Sequence, residues 1–183
     1  MLFRRSVANT PDGDLVSRSA RGDESAFREL LDRHQGAVYG FARRFLKDAQ
    51  EAEEIAQEVF LRLYRTAGTY RCQASLRSYL FRIAKNLCID VLRKKRPEPM
   101  AEPPETTDGR TAFEQVAEAQ SMQRLLDALD HLPDNQRAAV LLRHDQGMRY
   151  EEIAESLNLT VSAVDSLLVR ARRTLRKRLA DLC

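Results

Sequence analysis

The chain has 183 residues, of which 43% are hydrophobic and 31% charged, a composition typical of a globular protein with one domain or two small ones. Its net charge is only +3, and no apolar run approaches the roughly 18 residues that a membrane-spanning helix needs. The basic start, Met1 to Ser6, has no apolar segment after it, so we expect no secretion signal and a cytosolic location.

Residues 1–22 carry no functional signal, and we predict an N-terminal tail there. A first helix is predicted to begin at Asp23, whose carboxylate can accept hydrogen bonds from the free N–H groups of the first turn. Apolar residues then recur at steps of three and four, the spacing that places side chains on one helix face. The predicted stripe is Phe27, Leu30, Leu31, Val38, Phe41, Ala42 and Phe45.

A second helix is predicted from Asp48, which with Glu51 three residues later resembles a capping box, and it should end at Gly68. Its predicted inward side chains are Ala52, Ile55, Ala56, Val59, Phe60, Leu63 and Tyr64. An outward strip then remains: Glu51, Glu54, Gln57, Glu58 and Leu61. Acids at a helix start favour the helix dipole, so this strip is either an ordinary solvated face or a surface that docks a protein partner.

A third helix is predicted from Ser75 to about Arg96, burying Leu76, Tyr79, Leu80, Ile83, Ala84, Leu87, Val91 and Leu92. Strand-like alternation is absent, so residues 23–96 should form an all-α domain. Aromatic, cationic and amide side chains share the rest of this helix and the loop before it: Tyr70, Arg71, Arg77, Phe81, Arg82, Lys85, Asn86 and Arg93. They could stack on bases and follow phosphates, although Phe81 could instead be core and the basic end could simply suit the helix dipole.

Four of the six prolines lie between Pro97 and Pro104, and Gly109 follows soon after. Proline lacks the N–H that helices and central strands use, so we predict a flexible linker at 97–111. The stretch 97–122 has six acids against one base, whereas residues 24–96 have 15 bases against nine acids. An acidic connector between basic domains would suit two nucleic-acid contacts joined by a flexible link.

The second predicted domain, 112–183, contains a helix-turn-helix. A short helix begins near Tyr150, and Asn158 can take the left-handed conformation that ends it. Thr160 can cap the next helix, whose apolar stripe is Val164, Leu168, Ala171, Leu175 and Leu179. The second helix of such a motif enters the DNA major groove. The predicted architecture is therefore all-α, with two small helical domains.

Segments in both predicted domains resemble those of a known family. The segments Glu53 to Tyr64 and Leu76 to Arg93 look like the first conserved domain of bacterial RNA polymerase sigma factors, of the small extracytoplasmic-function class. The segment Leu132 to Leu142 and the helix-turn-helix resemble the second domain of that class. The resemblance covers nearly everything from Asp23 to Leu179, in the correct order.

The resemblance implies a factor that binds core RNA polymerase and directs it to promoters in a stress response, under control of an anti-sigma factor. The strip Glu54, Gln57, Glu58 and Leu61 would dock on the polymerase. The −10 element would be bound, and its strands separated, by Tyr70, Arg71, Arg77, Arg82, Lys85, Asn86 and Arg93. The −35 element would be read by Thr160, Ser162, Ala163, Asp165, Ser166, Arg170 and Arg173. The linker is expected to run through the polymerase.

Two departures from the family pattern affect the recognition helix. Asp165 and Leu167 stand where many members carry Lys and Arg. An acid cannot hold a phosphate, but it could accept a hydrogen bond from a cytosine amino group. Leu167 could touch a thymine methyl group or cover a neighbouring helix.

An enzyme is not expected, because the chain has no phosphate-binding glycine loop and no paired acid–base motif. No cofactor, metal site or small-molecule substrate is predicted: Cys72, Cys88 and Cys183 are widely spaced, and His34 lies on the apolar side of its helix. The main alternative is a stand-alone regulator that binds an operator without polymerase. A third class, a helical adaptor with no role on DNA, is disfavoured by the arginines after Arg170.

Overall fold

The computed structural model of the chain describes residues 10–70, 75–95, 124 and 126–180, of which 180 lacks a placed side chain. Within these ranges the secondary structure is helical and no strand occurs. The helices are α1 (Asp12–Ser19), α2 (Glu24–Leu46), α3 (Ala49–Thr66), α4 (Leu76–Lys95), α5 (Asp134–His144), α6 (Tyr150–Leu157) and α7 (Val161–Ala180). Residues 126–130 form one further helical turn. None of the described helices is long and apolar enough to cross a bilayer.

The predicted starts of the N-terminal helices are confirmed by their caps. Asp23 Oδ1 accepts from the N–H groups of Ser25 and Ala26, at 3.0 and 3.2 Å. Hydrogen bonds from the Ser25 hydroxyl and then from the Arg18 guanidinium lower the pKa of Asp23 far below its usual range, so this carboxylate remains charged well into acid. Asp48 likewise accepts from the N–H of Glu51 at 3.0 Å. The Glu51 side chain, which would complete a capping box by accepting from the N–H of Asp48, instead pairs with Lys95 at 2.8 Å.

The stretch predicted as an N-terminal tail contains α1, a correction to the sequence prediction. Leu15 and Val16 are buried against α2. His34 Nε2 lies 2.8 Å from an oxygen of Asp12, and Arg33 pairs with the same carboxylate at 3.0 Å. His34 therefore has a structural role, which is to help hold the unpredicted α1 on α2.

The core of the N-terminal domain lies between α2, α3 and α4. Phe41 contacts Phe45 and Phe81, with ring centroids 5.6 and 5.5 Å apart. Phe81 is 1% exposed, so the core alternative for this residue is correct. Tyr64, predicted to point inward, is 57% exposed, which is a second correction. Leu87, Val91 and Leu92 are partly buried rather than enclosed.

The helix-turn-helix forms as predicted. Asn158 has the left-handed φ of 55° at the end of α6, and the N–H of Leu159 donates to Ala154 O at 2.8 Å. Thr160 Oγ1 accepts from the N–H of Ala163 at 3.2 Å at the start of α7. Val164, Leu168 and Ala171 are buried beneath α7, on α5 and α6. These contacts leave the opposite face of α7 in solvent.

The two domains pack against each other in this structure. Helix α4 lies along α6, and the C-terminal end of α2 lies against α5. Arg137 of α5 is 6% exposed and donates to Phe45 O at 2.9 Å, which satisfies one of the carbonyls left free at the end of α2. The linker predicted at 97–111 falls outside the described residues, so its conformation remains a prediction.

Candidate functional site

The strip on α3 borders an apolar groove. Glu54, Gln57 and Leu61 are exposed, and Glu58 pairs with Arg62 at 2.7 Å. Gln57 and Leu61 line a groove of about 910 Å³ between α2 and α3. Its other large side chains are Phe27, Leu31, Tyr39, Phe60 and Tyr64.

This groove explains why Tyr64 is exposed, although the helical pattern predicted that it points inward. Its ring packs edge-on against Phe27, with centroids 5.2 Å apart, but the outer side of the groove is uncovered. Tyr39, 39% exposed, forms the opposite edge. Helical periodicity gives the direction of a side chain, but not whether a neighbouring element covers it. An open apolar groove that has Glu53 in its lining, with Glu54 and Glu58 on the same helix, suits a partner helix with apolar anchors and basic flanks.

Aromatic and cationic side chains meet where α3 ends and α4 begins. The rings of Tyr70 and Tyr79 are edge-on, with centroids 5.2 Å apart, and the guanidinium of Arg82 lies 5.3 Å from the centre of the Tyr79 ring. The Tyr79 hydroxyl is 2.9 Å from Thr66 Oγ1, which fixes this ring. Arg71, predicted beside them, lies outside the described residues. This corner offers aromatic faces beside a cation, the combination that binds unpaired bases.

Further along α4, Lys85, Asn86 and Arg93 share one crevice of about 690 Å³. Burial, with the neighbouring charge of Arg93, lowers the pKa of Lys85. Asp90 and Asp134 line the same crevice, so its charge is mixed. Arg77 lies apart from the crevice: its guanidinium is 5.8 Å from the centre of the Phe81 ring and donates to Gln146 O in the C-terminal domain.

The predicted −35 residues lie on the first half of α7 and the turn before it. Thr160, Ser162, Asp165, Ser166, Arg170 and Arg173 are exposed, and Ala163 is half-buried beside them. Arg170 Nε donates to Ser166 O at 3.2 Å, which positions its guanidinium along the helix. Leu167 is partly buried and lines the crevice that contains Lys85, which supports its covering alternative.

Other reactive groups in the described part of the chain have structural surroundings. Cys88 is fully buried, and burial raises the pKa of its thiol to about 12, so it remains protonated at neutral pH. No cluster of three His, Cys, Asp or Glu side chains able to hold a metal ion occurs among the described residues. Cys72 lies outside them.

Comparison with known proteins matches both domains. The family model of Sigma-70 region 2 matches residues 30–98, and that of Sigma-70, region 4 matches residues 122–175. The RNA polymerase sigma-H factor of Pseudomonas aeruginosa is 35% identical over 183 residues, an alignment covering 93% of this chain and 95% of the relative. The ECF RNA polymerase sigma factor SigW of Bacillus subtilis is 31% identical, with 91% and 96% covered.

A solved structure has a similar fold. CnrH, in complex with the cytosolic domain of CnrY, superimposes with a TM-score of 0.74 and 26% identity. The match covers 93% of this chain and 97% of CnrH. It spans both helical domains described above.

Proposed function

The chain belongs to the sigma-70 family of RNA polymerase sigma factors, in its extracytoplasmic-function (ECF) class, and we propose how its surfaces divide the work of initiation. It binds core RNA polymerase and directs it to promoters. The α3 strip with the adjoining groove docks on the polymerase. Helix α4 and the Tyr70 corner bind and open the −10 element, while α7 reads the −35 element. The factor acts in the cytoplasm, where polymerase is, and an anti-sigma protein holds it inactive.

The strongest support for this division is that three separate exposed surfaces have three different chemistries. The groove by Leu61 is mostly apolar and adjoins the acidic strip of α3, which suits a protein helix rather than DNA. The Tyr70 corner combines aromatic faces with Arg82, which suits unstacked bases. Helix α7 presents small polar side chains followed by arginines, which suits a major groove flanked by phosphates.

The stand-alone regulator is disfavoured, because both matched families and the close relatives are polymerase sigma factors. An experiment separates the two functions directly. The purified chain, core polymerase, and the two together are each incubated with fragmented genomic DNA, and the retained fragments are sequenced. We expect a specific set of fragments only when both proteins are present. The same set retained by the chain alone would favour the regulator.

The arginines of α7 give a quantitative prediction. Replacing Arg170 and Arg173 by Ala should weaken promoter binding by the holoenzyme on every promoter alike, because phosphate contacts carry no sequence information. Each phosphate contact that is lost reduces the number of counterions released on binding by about 0.9. The slope of log K against log salt should therefore fall by about 2 in magnitude. Filter binding at a series of salt concentrations measures this slope.

The matched control is the double variant Ser162→Ala, Ser166→Ala, at exposed positions of the same helix. It should change which −35 sequences are preferred while leaving the salt slope intact. An unchanged slope in the arginine variant would mean that these two side chains do not contact phosphates.

A further inference from the structure

The Tyr70 corner is built around Thr66, a residue that no sequence motif singled out. Thr66 is the last residue of α3, and its carbonyl oxygen accepts from the N–H groups of Thr69 and Tyr70, at 3.0 and 2.9 Å. The Thr69 hydroxyl donates to the same oxygen at 3.1 Å. These bonds hold the turn by which the chain leaves α3, so the Thr66 carbonyl fixes the position of the Tyr70 backbone.

The side chain of the same threonine holds Tyr79 on α4. Thr66 Oγ1 donates to Arg62 O at 2.7 Å, in the preceding turn of α3, and lies 2.9 Å from the Tyr79 hydroxyl oxygen. A hydroxyl has one proton and two lone pairs, and the Thr66 proton is used on Arg62 O, so the Tyr79 hydroxyl donates to Thr66. One residue thus joins the Tyr70 backbone and the Tyr79 ring.

The Tyr79 ring in turn supports two of the predicted −10 residues. It meets the Tyr70 ring at an angle of 66° with centroids 5.2 Å apart, and the guanidinium of Arg82 lies 5.3 Å from its centre. A base inserted between the two rings would need two stacking distances, about 7 Å in total, so it could enter only by separating them. Tyr79 therefore positions Tyr70 and the exposed Arg82, whose outer surfaces remain for nucleic acid.

We propose that Thr66 is a positioning residue of the −10 surface, which acts through Tyr79 and the turn at Tyr70 to fix Tyr70 and Arg82 relative to each other. The inference rests on the proposed function and deepens it, since it attributes the grip on an extruded base to an arrangement that exists before DNA binds. Without this arrangement, binding would have to order a tyrosine and an arginine each time, which weakens affinity. The Thr66 hydroxyl acts without touching DNA.

Three substitutions at two positions test the hydroxyl pair. Thr66→Val keeps the shape of the side chain and removes the acceptor, Tyr79→Phe removes the donor, and Thr66→Ser retains the hydroxyl. Holoenzyme assembled with each full-length chain is titrated against labelled single-stranded DNA, the non-template strand across the −10 element of a promoter fragment that the wild-type holoenzyme retains. A second set of strands carries one abasic site at each position in turn. Fluorescence anisotropy gives the dissociation constants.

The wild-type holoenzyme should lose affinity by at least about fivefold at one abasic position, the loss expected for one stacked base. Thr66→Val and Tyr79→Phe should each bind the intact strand about fivefold more weakly, as expected for one lost hydrogen bond. Both should bind the strand with that abasic site as tightly as the wild type does. The double variant should be no weaker than either single variant, because both remove the same bond. Thr66→Ser should behave as the wild type.

A role in folding alone predicts a different result. If Thr66→Val weakens binding of the intact and abasic strands by the same factor, or changes neither, the positioning role is excluded. The control is Tyr150→Phe, which removes a half-buried tyrosine hydroxyl from α6 and should match the wild type on both strands. Discrete transcription starts from the wild-type holoenzyme beside such an exclusion would leave the proposed function intact. A wild-type holoenzyme that binds the −10 strand no more tightly than core polymerase does would overturn both.

Discussion

The substitution Leu61→Glu is expected to abolish transcription with core polymerase while the chain remains folded. Leu61 is 42% exposed and lines the α2–α3 groove, so a charge there costs the free chain little. In the holoenzyme the same charge would be buried against an apolar partner surface. Central interface residues commonly contribute about 2 kcal/mol or more, so the affinity for core should fall about thirtyfold or more.

The matched control is Ala49→Glu, which adds the same charge at an exposed position on another face of α3. It should retain the wild-type affinity for core in a competition assay against a labelled sigma factor. Circular dichroism should give the same helix content for both variants. Normal core binding by Leu61→Glu would exclude the groove as the polymerase-docking surface.

The second large effect is expected at α4. Replacing Lys85 and Asn86 by Ala should lower transcription from duplex promoters by about tenfold or more, because extruding a base costs a few kcal/mol that these side chains help to offset. The defect should largely disappear on a template that is already unpaired across the −10 element. Run-off transcription on the two templates measures the ratio.

Arg28→Ala serves as the control, since it removes an exposed cation of α2 outside the proposed DNA surfaces. This variant should transcribe both templates as efficiently as the wild type. An equal defect of the α4 variant on duplex and unpaired templates would show that Lys85 and Asn86 bind DNA without helping to open it.

Local sequence signals predicted most of the helices. Asp23, Asp48, Asn158 and Thr160 act within three or four residues of themselves, so a cap can be recognised from its immediate neighbours. Helix α1 was not predicted because it has only eight residues and because its N-cap residue, Pro11, makes no side-chain hydrogen bond that would mark the start of a helix. Its stability comes instead from Leu15 and Val16 packing on α2, and from Asp12 pairing with Arg33 and His34.

The functional surfaces were only partly predictable from the sequence, because they too depend on contacts between residues far apart in the chain. The strip from Glu54 to Leu61 follows from helical periodicity, but the groove beside it depends on how α2 and α3 leave Tyr39 and Tyr64 uncovered. The contact between Arg137 and Phe45 O joins residues 92 positions apart. No local sequence pattern predicts such a contact, since the same pattern is equally consistent with an exposed arginine at position 137. The sites named on α3, α4 and α7 remain predictions until their variants are measured.

We propose that this chain gives core polymerase its promoter specificity through two separate DNA-reading domains. The most direct measurement is transcription in vitro with purified chain and core polymerase on fragmented genomic DNA, followed by sequencing of the RNA 5′ ends. We expect discrete starts, absent without the chain, that share two upstream elements at a fixed spacing. An absence of such starts, while the chain alone protects a DNA palindrome, would contradict it.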